Sequence, residues 1–470
     1  MVDIVDPLPL SAGEAAAREA SAGPHKGASK LGQFAWAVFD GGRSPYNVLV
    51  NIFVFSAYFS TVVIPDSVRG QVVWSYTTST AAFLVAIGAP VLGAIADAGG
   101  RRKPWILGTL ILGAPCMAAI WFATPGMHTG LIFMLIALVG ANLAFEYSAI
   151  FCNAMLPRVA PPGRVGFLSG LGFALGNFFG VLLFVFFLAA WSWNAHPLFG
   201  LKASLHEPER AVGFLAAGWF VLMAIPLFLF TPDSPKTTLR PLQAVTQGLT
   251  TLGGTLAKIG NYKNTALYLL SRMFFNEGFI VMMLFTGVFA AGILHWTPTM
   301  LIAEGLINSV VAALAGLFSG WLDTKIGSKP ATMVFVGGCL VANVVICSVT
   351  PEMVFFVHVA APLAPHGLFP TLPDKVFLAA QCSAAFFVTG GLVTSRALMA
   401  KLAPPAMLTE FFGLFALSGT ATSFVGPLAI GLLTAFFHNQ RAGVAVGIFF
   451  LFVGLVMLAS LVRERAAAEA

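Results

Sequence analysis

A chain of 470 residues with 58% hydrophobic and 9% charged residues is no water-soluble globule, in which charged residues make up about a quarter. Its formal charge of +6 carries no basic run longer than Arg101–Lys103, which excludes nucleic acid as a partner. Five cysteines, all inside apolar runs and without a CxxC spacing, point to neither disulfide nor metal.

Residues 1–33 read as a cytoplasmic tail, rich in Ala, Ser, Gly and charge and without the apolar core of a signal peptide. Twelve apolar windows follow, at 34–64, 73–96, 104–123, 130–156, 164–190, 211–231, 264–291, 297–322, 330–349, 376–401, 410–437 and 441–462. Each is long enough to cross a hydrocarbon core of ~30 Å as a helix. Between the second and third lies GAIADAGGRRKPW, Gly93 to Trp105, in which Gly93, Asp97, Gly100, Arg101 and Arg102 form a charged hairpin at a membrane edge.

Residues 232–263 are a long polar connection, so the expected domains are a six-helix bundle over 34–231, a cytoplasmic linker over 232–263, a second bundle over 264–462 and a tail over 463–470. After span 8 comes GWLDTKIGSKP, with Asp323 placed 226 positions beyond Asp97; the halves are a repeat. Ser328 stands where the first turn has a cation, so the second latch is expected to be weaker.

Of 25 Lys and Arg, three lie within spans and five (Arg69, Lys202, Arg210, Lys375, Arg441) on the side opposite the termini, leaving seventeen on the terminal side. The positive-inside bias then makes both termini cytoplasmic, in a multi-pass protein of the cell membrane.

An ionisable group within a span costs roughly 2.5–3.5 kcal/mol on insertion scales, so those that persist pair, face water or work. Asp40 and Arg43 are three apart and share a helix face, as an interfacial ion pair or as a gate. Glu146, with Asn142 and Asn153 near it, is either a proton carrier or one half of a salt bridge to an adjacent span. Glu277 falls mid-span beside Asn276, with Arg272 a turn and a half away. It is the first choice for proton exchange, with Arg272, Arg396 or Arg43 meeting a substrate carboxylate. Arg396 also sits close enough to the membrane edge to snorkel, and Glu304, early in span 8, reads as structural or loop-facing.

In span 5, Gly166 and Gly170, then Gly172, Gly176 and Gly180, repeat every four residues, a helix-packing pattern. No βαβ context makes these a dinucleotide site, and no P-loop, Ser-His-Asp or HExxH arrangement supports an enzyme or a metal centre.

The turn at Asp97 resembles the signature that major facilitator transporters carry between helices 2 and 3. Three further stretches, FAWAVFDGGRSPY, NAMLPRVAPPGRVGFLSGLGFALG and SRALMAKLAPPAMLTEFFGLFALSG, resemble the vacuole effluxer-like branch, related to the fungal autophagy transporter. The resemblance implies an all-α membrane protein of twelve transmembrane helices in two six-helix pseudo-repeats. It also implies a central cavity lined by spans 1, 4, 7 and 10, and secondary or facilitative transport without a cofactor.

Two departures stand out: Gly41, Gly42 and Arg43 replace an aromatic-Ala-Asn segment, and Glu277 replaces an Asp. The expected partners are a small polar solute, amino acids by analogy with the fungal relatives, protons as coupling ion, and the bilayer around a monomer. The competing readings are an exporter of hydrophobic compounds and a non-transporting receptor or scaffold on the same fold.

Overall fold

Apolar runs of this length satisfy their backbone in lipid by coiling into helices. In a computed structural model, twelve helices among the described residues are long and apolar enough to span a membrane. They are span 1 (Lys30–Val63), span 2 (Ser67–Ala89, its helix continuing to Gly99), span 3 (Lys103–Phe122), span 4 (Leu131–Leu156), span 5 (Phe167–Trp191), span 6 (Glu207–Phe230), span 7 (Lys263–Ile293), span 8 (Pro298–Ile326), span 9 (Ser328–Ser348), span 10 (Leu372–Leu402), span 11 (Leu414–Phe437) and span 12 (Gln440–Leu461). The structure describes residues 27–99, 101–161, 164–192, 197–233, 246, 250, 262–355, 357–359, 367–403 and 408–463. Most of the 232–263 linker and both tails lie outside them.

Hydrogen bonds repeat between the halves. Lys103, opening span 3, donates through Nζ to the Phe228 carbonyl at the end of span 6 (2.9 Å). Lys329, opening span 9 and 226 positions later, donates to the Ala459 and Val462 carbonyls at the end of span 12 (3.0 and 2.7 Å). At the other side Arg210 reaches the Trp121 carbonyl (2.7 Å) and Arg441 the Cys347 carbonyl (2.9 Å), tying spans 6 and 12 to the ends of spans 3 and 9. A cation at a helix C-terminus meets unsatisfied carbonyls and the negative end of the helix dipole, which is why these positions hold Lys and Arg.

Close approach of helices depends on small residues, because lipid offers no hydrophobic drive between spans. A Cβ on Gly172 would run into Asp40, one on Gly176 into Ser44 Oγ (2.5 Å), and one on Gly180 would touch Val48 (3.8 Å). Three glycines at four-residue spacing thus seat three residues of span 1 at the same spacing. Gly41 and Gly42 complete the contact: a Cβ on Gly41 would meet the backbone at Gly172 and Gly176, and one on Gly42 the side chain of Met223.

Two spans depart from regular helix. Span 1 contains π-helical turns at Asn47–Phe53 and Phe59–Val63. Span 11 is broken: one helix ends at Thr420, turns occupy 421–424, and a second helix runs Val425–Phe437.

Span 2 takes part in four hydrogen bonds that cross between the halves. Gln71 Nε2 donates to Thr434 Oγ1 (2.8 Å) and to the Gln440 carbonyl (3.0 Å), Gln440 Nε2 donates to the Ser67 carbonyl (2.7 Å), and Ser79 Oγ donates to the Phe424 carbonyl (2.9 Å). Gly287 of span 7 lies directly against the Ile52 carbonyl of span 1. These contacts occupy the half of the molecule away from the termini.

Candidate functional site: a cavity between the halves

Above that closed side, spans 1, 5, 7, 8 and 10 enclose a cavity of about 190 Å³. The first half contributes Ile52, Phe53 and Asn177; the second contributes Met282, Met283, Thr286, Gly305, Asn308, Ser309, Gln381 and Thr389, with small apolar residues between them. Ile52 and Phe53 reach it from the first π-helical turn of span 1. The walls are apolar with a few amides and hydroxyls, the pattern of a site that orients a small ligand by hydrogen bonds. No charged side chain is among these lining residues.

The seven charged and polar residues singled out in the sequence fall elsewhere, in two groups. In the first half, Arg43 Nη2 donates to Asp40 Oδ1 at 2.6 Å and the guanidinium lies 5.6 Å from the centre of the Phe145 ring. Glu146 follows Phe145, is exposed, and lies within electrostatic reach of Arg43. Deeper along the same faces, Asn51 Nδ2 bridges Asn47 Oδ1 (3.2 Å) and Asn142 Oδ1 (2.9 Å), joining spans 1 and 4 by an amide ladder.

In the second half, Arg272 is 7% exposed. It donates to the Phe415 carbonyl (2.8 Å) and Ser418 Oγ (2.7 Å) and stacks 3.7 Å from the Phe415 ring centre. Asn276 donates to the Gly419 carbonyl (3.3 Å). Glu277, 2% exposed, accepts from the Gly426 N–H at 2.8 Å. Gly426 is in the first turn of the second half-helix of span 11, so the carboxylate sits at a positive helix end. Arg272, Asn276 and Glu277 therefore brace span 7 against both sides of the break in span 11. Arg396, exposed on span 10, lies within electrostatic reach of Arg272.

At the first charged hairpin, Gly93 and Asp97 lie on the end of the span 2 helix, with side chains outside the described residues, as is Gly100. Arg101 is exposed. The N–H groups of Arg102 and Lys103 donate to the carboxylate of Asp233 (2.8 and 3.3 Å), a cap on span 3 that sequence reasoning passed over because it comes from the far end of the bundle. In the second copy, Asp323 Oδ2 stands 3.9 Å from Lys401 Nζ.

Of the two readings of Glu304, structural or loop-facing, the second falls away: the residue is 0% exposed, and its Oε1 accepts from Asn308 Nδ2 at 3.3 Å. Span 8 begins at Pro298, so Glu304 is already nearly two turns inside the bundle. Asn177, Thr286, Asn308, Ser309, Gln381 and Thr389 were also missed, and their signal is faint: uncharged polar residues scattered in apolar runs.

A family model described as "Vacuole effluxer Atg22 like" matches residues 62–163 and 164–470. The chain is 24% identical over 434 residues to an uncharacterized MFS-type transporter, YxiO, of Bacillus subtilis, covering 92% of this chain and 94% of the relative. It is 27% identical over 312 residues to autophagy-related protein 22 of Cryptococcus neoformans, covering 64% of this chain and 51% of that protein. A D-xylose-proton symporter shares the fold, with a TM-score of 0.65 at 14% identity over 93% of this chain and 99% of the symporter.

Proposed function

The chain belongs to the vacuole effluxer Atg22-like family of major facilitator transporters, and from that premise we propose that it carries a small polar solute by alternating access, with the solute bound in the cavity between its halves. The observation that supports this reading is that both halves line one cavity while the halves bond to each other on one side of it. A rocking motion about the cavity would break the span 2 contacts and bring the terminal sides together.

Amides and hydroxyls from Asn177, Thr286, Asn308, Ser309, Gln381 and Thr389 suit a solute that hydrogen-bonds without net charge. Amino acids are the second reading, favoured by the exposed guanidinium of Arg396 on span 10. The seventeen-to-five division of cations supports cytoplasmic termini in a cell membrane. We take the protein to work as a monomer, with a proton gradient or the solute's own gradient as its energy source.

The test is thermal stabilisation of the purified protein across sugars, polyols, nucleosides, amino acids, peptides and organic acids. A ligand of the folded state at a hundred times its Kd stabilises by about 2.7 kcal/mol. A hit among neutral solutes that Asn308→Ala and Gln381→Ala both lose supports the cavity. A hit confined to amino acids and lost in Arg396→Ala favours the second reading. No hit, or hits only among lipophilic compounds, contradicts both.

A further inference from the structure

Gly305, Asn308, Ser309 and Ala312 form the span 8 wall of the cavity. Glu304 precedes the first of these and lies one turn before Asn308, behind the wall and without solvent exposure. Its Oε1 takes the Asn308 hydrogen bond, while its Oε2 and the Asn308 Oδ1 are buried with no partner. Two buried acceptors are thus left without a donor.

The surroundings supply no cation among the described residues. Span 10 brings the Cys382 thiol within electrostatic reach and Gln381 to the cavity. Further along that span Asp374 is bonded to Trp296 Nε1 (2.8 Å) and Thr371 Oγ1 (2.6 Å), with Lys375 beside it. Spans 1 and 5 set the rings of Phe53 and Phe184 against Gly305, span 7 contributes Met282 and Thr286 to the cavity, and no charged group of span 9 reaches the carboxyl.

Glu277 also has one buried oxygen, Oε1, without a partner, but its Oε2 accepts from the N-terminus of a half-helix, whose dipole meets the charge. Burying a carboxylate with no cation and with one oxygen lacking a donor is unfavourable, and a proton both cancels the charge and turns that oxygen into a donor.

We propose that Glu304 is a proton-binding site of this transporter, and that Asn308 links its protonation to the solute cavity. The link to transport rests on the reading of the cavity given above. With the cavity open to one side, a proton from water joins the carboxylate and makes a neutral acid. Release to the other side restores the carboxylate, and the Asn308 carboxamide, shared by the carboxyl and the cavity wall, changes its hydrogen bonding with each step.

Infrared difference spectra of the full chain in lipid nanodiscs, recorded against pH, read the C=O stretch of a protonated, water-excluded carboxyl. The expected result is a band lost in Glu304→Gln and kept in Glu146→Gln and Glu277→Gln. Asn308→Ala should keep the band but shift its frequency and move its titration midpoint by about one pH unit, a tenfold change in proton affinity. That variant keeps the proposal testable should Glu304→Gln fail to fold.

A wild-type spectrum without such a band, a band that survives Glu304→Gln, or a band untouched by Asn308→Ala overturns the assignment. So does a Glu304-dependent rise in melting temperature when sodium replaces choline, which would mark a sodium site. The spectra need no solute, so an empty solute panel overturns the cavity reading alone, and a missing band overturns the proton site alone.

Discussion

Arg272, Asn276 and Glu277 show how a charge in lipid is accommodated by partners that sequence cannot display. Their presence in span 7 was legible because ionisable groups there are rare. Most of their hydrogen-bond partners, the Phe415 and Gly419 carbonyls and the Gly426 N–H, are backbone atoms about 140 to 150 positions away and carry no residue signature, with the Ser418 hydroxyl the side-chain exception. Glu277→Ala removes the acceptor of a buried charge-assisted bond, worth about 1.5–3 kcal/mol, whereas Glu277→Gln keeps a carbonyl in place. The expected order of melting midpoints is wild type, then Gln, then Ala; equal midpoints would contradict the brace.

Arg272→Lys should also melt lower, because an ammonium cannot keep two donors in place and stack on Phe415 together. For transport, the pH profile is expected to flatten in Glu304→Gln and to persist in Glu277→Gln. The reverse pattern would return the proton to span 7.

At the level of helices, the glycine stripe of span 5 was readable as packing from its spacing, and the structure supplies its counterpart, Asp40, Ser44 and Val48. The same contact accounts for Gly41 and Gly42, which looked like a functional departure and which leave room for span 5 and span 6. Gly176→Leu places a branched side chain where Ser44 Oγ stands 2.5 Å from a Cβ, and should lower the yield of folded protein sharply. Normal yield and melting would remove the contact from the account.

The span 2 latch was not legible, since Gln71, Ser79, Thr434 and Gln440 are unremarkable polar residues whose meeting depends on how the halves dock. Ser79 is buried against Phe424. A cysteine placed there, in a chain with its own five replaced, should label several-fold faster when Gln71→Ala removes two hydrogen bonds, each worth about 1 kcal/mol. Unchanged labelling would mean that the latch does not hold the halves together.

For the whole molecule, length, hydropathy and the spacing of Asp97 and Asp323 were enough to give twelve spans in two related sixes, because lipid leaves a chain so few options. The repeat runs deeper than the motif, into the matched contacts of Lys103 with Lys329 and of Arg210 with Arg441. The resemblance implied a central cavity lined by spans 1, 4, 7 and 10, whereas spans 1, 5, 7, 8 and 10 line the one observed, because its walls depend on where two bundles leave a gap. It sits beside the latch, so a solute bound there touches both halves and can bias their packing.

Alternating access around that cavity is most directly tested by pulsed electron-spin distances in lipid, with one label pair on each side: Arg158 with Ala400 near the termini, and Arg69 with His438 beside the latch. With the stabilising solute and a lowered pH, the first distance should shorten and the second lengthen within the same sample. Two distances that stay fixed under every solute and pH would contradict a transporter that works by rocking its halves.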